Sequence, residues 1–155
     1  MIEGDVKSLF DAGVLASYYY IYQFEDGTYD LDSWNPEVDY NEIYLPDNEG
    51  NYLVHFDLAD TPEKQLEAII TQKYIAVNMV NSQEGWNEYR RTHYPKIVPG
   101  TNDPYNTFAS AQSISPRADK LPTRILYPST EASYNPNNRP TGIDVFSSQI
   151  FWAMP

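Results

Sequence analysis

Acidic residues are the residue type in this sequence that is best suited to acid–base catalysis. Two close pairs, Asp30 with Asp32 and Glu84 with Glu88, carry carboxylates of the kind that serve as acid and base in glycoside cleavage. Such pairs arise readily by chance in a chain with 22 Asp and Glu residues. The sequence places no two carboxylates across a cleft, and it therefore favours a protein that is not an enzyme.

Side chains with oxygen atoms cluster in residues 26–32, which read Asp-Gly-Thr-Tyr-Asp-Leu-Asp. Oxygen atoms are the ligands that calcium prefers, so this segment is a candidate calcium site. The spacing does not match an EF-hand loop, because no acidic pattern leads into Gly27 and no glutamate ends the segment. His55 and His93 are too isolated for a zinc site. The chain has no cysteine, which excludes thiolate ligands and a cysteine nucleophile. We expect no metal and no cofactor, with calcium as the open alternative.

Residues 84–95, Glu-Gly-Trp-Asn-Glu-Tyr-Arg-Arg-Thr-His-Tyr-Pro, combine large aromatic residues with an arginine pair. Trp86, Tyr89 and Arg90 share one helix face, while Arg91 points roughly 100° further round. Arginine stacks on aromatic rings and donates in bidentate fashion to carboxylates and carbonyls. The segment is therefore suited either to fastening backbone or to binding an anion.

The same two roles apply to Arg124, which lies in the related segment Leu-Pro-Thr-Arg-Ile-Leu-Tyr-Pro. A coil leaves many backbone carbonyls unpaired, and arginine and tyrosine donors can satisfy them. No His or Ser partner set accompanies the arginines, and acids are abundant in the chain. We therefore favour the structural role for Arg90, Arg91 and Arg124, and we expect at least one of Arg90 and Arg91 to be largely buried.

Charge is distributed unevenly along the 155 residues. The formal net charge is −12, and residues 1–60 hold 14 of the acids and a single lysine. A nucleic-acid binder needs clustered Lys and Arg to neutralise phosphates, so the charge argues against nucleic acid as a partner. The acidity is typical of a solvated surface. The length predicts a single unit over residues 1–155.

Helical periodicity predicts the elements that position these residues. Apolar and small residues recur every 3.6 positions over residues 6–22, after a capping sequence at Gly4-Asp5. A second helix begins at Asp60-Thr61-Pro62, with Asp60 as the expected cap, and its apolar stripe predicts that it is half buried. A short helix follows over about 83–92.

Irregular structure is predicted for the rest of the chain. Residues 25–60 scatter aromatic residues among acids, Asn, Pro and Gly, which indicates a long excursion with a short extended piece at 51–58. After Pro95 the chain is rich in Pro, Asn, Ser and Thr but keeps aromatic residues for packing. We expect an ordered coil without regular helices there, except for one last short helix near 143–150.

These segments together resemble the SusD/RagB family. The resemblance is carried by residues 72–76, 86–95, 124–128 with Glu131 and Asn135 behind them, and Phe151-Trp152, with residues 9–17 similar to the preceding family helix. The common family form has Trp where Tyr74 and Tyr89 stand, and Gly where His93 stands. The structural signature consists of Trp86, Tyr89, Arg90, Arg91, Tyr94, Pro95, Arg124, Tyr127 and Pro128.

The resemblance implies a mainly α fold with long irregular loops, namely the C-terminal part of a SusD-like helical fold of the tetratricopeptide type with an ordered Pro-rich coil. It implies a non-catalytic glycan- and nutrient-binding component of a polysaccharide-uptake system. The implied partner is a SusC-type TonB-dependent transporter, on the cell-surface side of the outer membrane in Bacteroidetes. Family members are longer lipoproteins with an N-terminal portion, so we expect this chain to be a fragment or one piece of a divided protein, and that portion to be a further partner.

Sugar binding needs flat aromatic faces for pyranose rings, together with amides and carboxylates for the hydroxyls. The loop from Phe24 to Phe56 contains these types. The candidate glycan-binding residues are Trp34, Tyr29, Tyr40, Tyr44 and Asn35, with Trp34 foremost. Alternatively, the aromatic residues seat the loop on the N-terminal portion. If they do, the alternative is that the chain is a structural module, which docks to the transporter or to the N-terminal portion without contacting glycan.

Overall fold

The computed structural model describes residues 5–78 and 80–153. The first helix, α1, spans Val6–Tyr22, which confirms the predicted range. Its cap is Asp5, whose carboxylate accepts a hydrogen bond from the backbone N–H of Ser8 at 3.2 Å. Phe10 and Val14, four residues apart, are its buried residues, so α1 packs through one face.

A continuous helical run fills the middle of the segment that was predicted to be irregular. It consists of α2 (Pro36–Val38), a π-helical turn (Asp39–Tyr44) and α3 (Leu45–Asp47). Asn35 starts the run, because its side chain accepts hydrogen bonds from the next two free backbone N–H groups and Pro36 occupies the first helical position. The prediction of an irregular 25–60 was therefore wrong over 36–47.

The extended piece predicted at 51–58 is also wrong. The side chain of Asn51 accepts from the N–H of Leu53 at 3.0 Å, and its carbonyl accepts from both Val54 and His55. These bonds turn the backbone before a 3₁₀ turn at Phe56–Leu58. An Asn side chain that bonds to the backbone two residues on competes with strand formation, which explains the difference.

The next helix, α4, spans Pro62–Val77. Its cap is Thr61, whose hydroxyl accepts from the N–H of Lys64 at 3.2 Å, and not Asp60 as predicted. The Asp60 carboxylate instead pairs with the Lys64 ammonium at 2.7 Å. The buried residues of α4 include Ala68 and Ile70 but also two polar ones, Glu67 and Gln72. The predicted helix is confirmed, but part of its buried face is polar.

Two compact units make up the chain, Met1–Trp86 and Asn87–Pro155. The core of the first is a cluster in which the rings of Phe10 and Phe56 lie 5.0 Å apart, with Val14, Tyr40 and Ala68 buried around them. Helix α5, Ser82–Thr92, begins in this unit, as predicted to within one residue. A Cβ at Gly85 would lie 3.0 Å from the Tyr74 ring, so any other residue there would push that ring away by a few tenths of an ångström.

The second unit is mostly turns and coil around the end of α5. Tyr89 is buried and packs edge-to-face on Phe108, with ring centroids 5.3 Å apart. The helix expected near 143–150 is absent from this described stretch, where Asp144 instead organises turns by accepting from three groups of Phe146 and Ser147. A short helix, α6, lies at Ser129–Tyr134, inside the coil predicted to lack helices.

The described residues contain helices and coil but no strands, which confirms the mainly α fold with long irregular segments. No helix among them is long and apolar enough to cross a membrane. The single unit expected over 1–155 stays a prediction.

We predict that Phe10→Ala lowers the free energy of unfolding by about 3–5 kcal/mol, because Phe10 is only 8% exposed and its removal opens a cavity against Phe56. Its neighbour Leu9 is 46% exposed, so Leu9→Ala should cost about 1 kcal/mol or less. Urea denaturation of both variants measures the difference. Equal losses would contradict the placement of the core.

Candidate functional site

Tyrosines crowd the C-terminal half of α1, at positions 18, 19, 20 and 22. Tyr18 and Tyr22 lie one turn apart on the same side of the helix and pack edge-to-face with centroids 6.1 Å apart. Tyr18 also contacts Tyr44 of the π-helical turn at 5.7 Å and Tyr40 at 5.8 Å. The helical run 36–47 is thereby packed onto α1 through rings.

Trp34 extends this row of rings towards solvent. Its indole packs on Tyr22 with centroids 6.5 Å apart, and the residue is 62% exposed. A turn holds it in place, because its N–H donates to the carbonyl of Asp30 at 2.8 Å and the Asp30 carboxylate accepts from the N–H of Ser33. Trp34 therefore presents a large apolar ring from a fixed backbone.

A second ring pair joins α1 to the loop that follows it. Tyr19 packs on Tyr29 at 5.6 Å with nearly perpendicular planes. The Tyr19 hydroxyl donates to the Glu37 carboxylate at 2.8 Å. Side chains that are distant in sequence are thus brought to one region by the aromatic half of α1.

An open pocket of about 240 Å³ lies among these rings. We call it the tyrosine pocket, and its lining residues are Tyr18, Tyr22, Tyr44, Ile43, Asp39, Asp47 and Asn48. Asn48 is held by its amide, which donates to the carbonyl of Tyr44 at 2.8 Å. The pocket combines aromatic faces with carboxylates and an amide, the combination that sugar recognition requires.

The phenols of this pocket stay protonated at neutral pH. Burial, followed by the neighbouring Tyr44, Tyr22 and Asp39, raises the pKa of Tyr18 to about 12. The hydrogen bond from the Tyr22 hydroxyl to the Asp39 carboxylate, 2.6 Å long, raises the pKa of Tyr22 as well. Burial raises the pKa of Tyr44, with the bond from Gln72 opposing it. The rings therefore offer neutral faces and hydroxyls.

The predicted glycan-binding residues fall in different environments. Trp34 is exposed beside the pocket, and Tyr44 lines it. Tyr29 is half-buried against Tyr19, and the Asn35 side chain is occupied in capping α2. Tyr40 is only 5% exposed in the core, so its ring presents no free face to a ligand. The binding role of all five stays a prediction.

Sequence reasoning missed Tyr18, Tyr22, Asp39 and Asn48. Periodicity accounts for the tyrosines of α1 as part of a helix that positions other residues, and tyrosines at helical spacing usually indicate core packing. The available signal was their density, since four of the five residues 18–22 are tyrosine. Four rings in so short a stretch cannot all face one core.

The carboxylates considered for catalysis make other contacts. Glu84 pairs with Lys73 at 2.8 Å, and Glu88 pairs with Arg91 at 2.6 Å. Asp30 holds the turn before Trp34. Among residues 5–78 and 80–153, no group of three His, Asp or Glu side chains is arranged to hold a metal ion.

Arg90 and Arg124 contact coil residues of the second unit, whereas Arg91 pairs within helix α5. Arg90 is half-buried, donates to the carbonyl of Thr123 at 3.2 Å and lies over the Trp152 ring at 4.6 Å. Burial lowers its pKa. Arg91 is exposed and paired with Glu88, and Arg124 lies over the ring of Tyr127 at 5.3 Å. The contacts of Arg90 and Arg124 support the structural role, which stays a prediction for all three arginines.

Tyr89 and His93, in the same segment as the arginine pair, show two further features. Tyr89 donates to the Asp119 carboxylate at 3.3 Å, and burial raises its pKa to about 12. His93 has a φ of 61°, in the left-handed region that favours glycine. The glycine common at this position in the resembled family thus has a conformational reason.

Comparison with known proteins shows a family relationship. A family model described as "SusD-like: Susd and RagB outer membrane lipoprotein" matches residues 1–151, which is nearly the whole chain. No curated protein and no solved structure is significantly similar to it.

We predict that Tyr18 makes the chain less stable at high pH. Its pKa of about 12 when folded exceeds the value of about 10 expected when unfolded, so the stabilisation is complete below about pH 10 and is lost as the pH rises towards 12. The free energy of unfolding should therefore fall more steeply between pH 10 and 12 in the parent than in Tyr18→Phe.

Tyrosinate absorbance provides the control. The difference between the titrations of parent and Tyr18→Phe should show a midpoint near pH 12 in buffer, and near pH 10 in concentrated guanidinium. The same midpoint in both solvents would contradict burial of the Tyr18 hydroxyl.

Proposed function

The chain belongs to the SusD-like family of outer-membrane lipoproteins, and we propose that it binds glycans through the tyrosine pocket and Trp34. The family is a non-catalytic glycan-binding one. In this proposal the chain is a glycan- and nutrient-binding component of a polysaccharide-uptake system. It acts without catalysis, on the cell-surface side of the outer membrane, together with a SusC-type TonB-dependent transporter.

The exposed Trp34 ring beside the pocket is the observation that carries the proposal. A flat ring that is 62% exposed, and that meets Tyr22 at an interplanar angle of 67°, keeps most of its surface open for a pyranose to stack on. The adjacent pocket then offers groups for the sugar hydroxyls. Asp39 and Asp47 accept hydrogen bonds, and Asn48 provides an amide.

Pocket rigidity supports binding without a large ordering cost. The Tyr22 hydroxyl is fixed on Asp39, and the Tyr44 hydroxyl accepts from Gln72 at 2.8 Å. Rings that are already held in place lose little conformational freedom when a ligand arrives. The pocket is also open, which suits a chain-like ligand that extends beyond one sugar ring.

We predict that Trp34→Ala weakens glycan binding about tenfold, because it removes the stacking face, whereas Trp34→Phe retains most of the affinity. Affinity electrophoresis against neutral polysaccharides, followed by calorimetry with the oligosaccharide that binds, measures the loss. Trp152→Ala removes a tryptophan of the other unit and serves as the matched control. Unchanged affinity in Trp34→Ala would remove the main support for this site.

An apolar groove favours the alternative function as a docking module. The groove lies between α1 and α4, has a volume of about 320 Å³, and includes Leu9, Gly13, Ile69 and Ala76 in its lining. Leu9 and Ile69 are 46% and 40% exposed. Exposed apolar surface of this kind is typical of a protein contact. The candidate occupants are the N-terminal portion of a longer SusD-like protein and the transporter.

We predict for this alternative that the double variant Leu9→Ser, Ile69→Ser reduces co-purification with a SusC-type transporter in the absence of sugar. Circular dichroism should show an unchanged helical content, because both side chains lie outside the buried core. The charge-neutral exchange Tyr105→Ser, at an exposed position of the second unit, is the control. Loss of transporter with intact glycan affinity would separate docking from sugar binding.

A further inference from the structure

Two carboxylates but no basic side chain line the tyrosine pocket. Asp39 and Asp47 are the charged residues in its wall. Residues 1–86, which form the unit that contains the pocket, hold 17 Asp and Glu residues against three lysines and no arginine. The pocket is therefore surrounded by a chain segment of strongly negative charge.

The three lysines of this unit are each paired with acids elsewhere. Lys7 pairs with Asp11 at 2.5 Å and approaches Asp57 at 3.7 Å. Lys64 pairs with Asp60, and Lys73 pairs with Glu84. None of these lysines lines the tyrosine pocket. The negative potential of Asp39 and Asp47 is thus not offset by a cation in the pocket wall.

We propose that the tyrosine pocket selects neutral glycans and discriminates against acidic ones, that is, glycans bearing uronate carboxylates or sulfate esters. This selectivity rests on the proposed function, because it concerns the same pocket. The sugar hydroxyls of a neutral glycan donate charge-assisted hydrogen bonds to the two carboxylates. An anionic substituent in the same position meets repulsion and leaves both carboxylates without those donors.

The carboxylate of Asp39 is held in a fixed position in the pocket wall. Its carboxylate accepts the Tyr22 hydroxyl at 2.6 Å, and its own N–H donates to the carbonyl of Asn35 at 3.0 Å. A carboxylate held at both its side chain and its backbone cannot swing away from an incoming anion. Repulsion at a fixed short distance is stronger than repulsion from a mobile surface charge.

Asp47 is the better position for a test, because Asp39 also orients Tyr22. Asp47 is exposed, lies at the end of α3 and takes no part in the bond between Tyr22 and Asp39. Glu63 is exposed in the first turn of α4 and does not line the pocket. Asp47→Lys and Glu63→Lys therefore change the net charge equally, at positions inside and outside the pocket.

Calorimetry on the 155-residue chain at low ionic strength tests the proposal with cellohexaose, maltohexaose and mannohexaose, with each hexamer after oxidation of its primary hydroxyls to carboxylates, and with hexagalacturonate. The best neutral hexamer should bind about tenfold more tightly than its oxidised form, and added salt should narrow the difference. Asp47→Lys should bring the two affinities to within about twofold, whereas Glu63→Lys should leave the ratio nearly unchanged.

The outcomes distinguish this selectivity from the proposed function. An oxidised hexamer or hexagalacturonate that binds as tightly as the neutral hexamers, with binding still dependent on Trp34, overturns the selectivity and leaves glycan binding intact. An equal response to Asp47→Lys and Glu63→Lys overturns the role of the pocket carboxylate. Absence of binding to every hexamer overturns the proposed function and the selectivity with it.

Discussion

The buried amide of Gln72 is the constraint on which the arrangement of the first unit depends. From α4 it donates to the Tyr44 hydroxyl and to the carbonyl of Leu53, both at 2.8 Å. These two bonds tie α4 to the last residue of the π-helical turn and to the turn-rich segment that follows α3. A buried donor left unpaired costs about 1–3 kcal/mol. Breaking either bond of the Gln72 amide is therefore unfavourable, and the position of this segment relative to α4 is restrained. The position of Tyr44 against Tyr18, and hence one wall of the tyrosine pocket, follows from this bond.

Helices α1, α4 and α5 were predictable because each shows several turns of periodic sequence or a clear capping signal. The run 36–47 was not predictable from periodicity, since its α segments are single turns and a π turn separates them. Its local signal was the cap Asn35 followed by Pro36. Periodicity identifies long helices, and capping chemistry is needed to find short ones.

The site was only partly accessible to sequence reasoning, because composition shows which rings exist and not which faces remain open. Tyr40 and Tyr44 are four residues apart and both contact Tyr18, yet Tyr40 is nearly fully buried while Tyr44 lines the pocket. Long-range packing decides between them. The same holds on α4, where Gln72 is buried and Ile69 is 40% exposed, the reverse of what hydrophobicity alone predicts.

Family signature and candidate binding surface lie in different parts of the sequence for a physical reason. Arg90 is committed to the Thr123 carbonyl and the Trp152 ring, so its chemistry is used within its own unit. Such a residue identifies a fold because the coil needs its donors. Trp34 makes an edge contact with Tyr22 and keeps most of its surface open. An aromatic side chain that folding leaves exposed on a fixed turn is the one that remains available to a ligand, which is why Trp34 and the acidic wall of the neighbouring pocket carry the proposals on binding and selectivity.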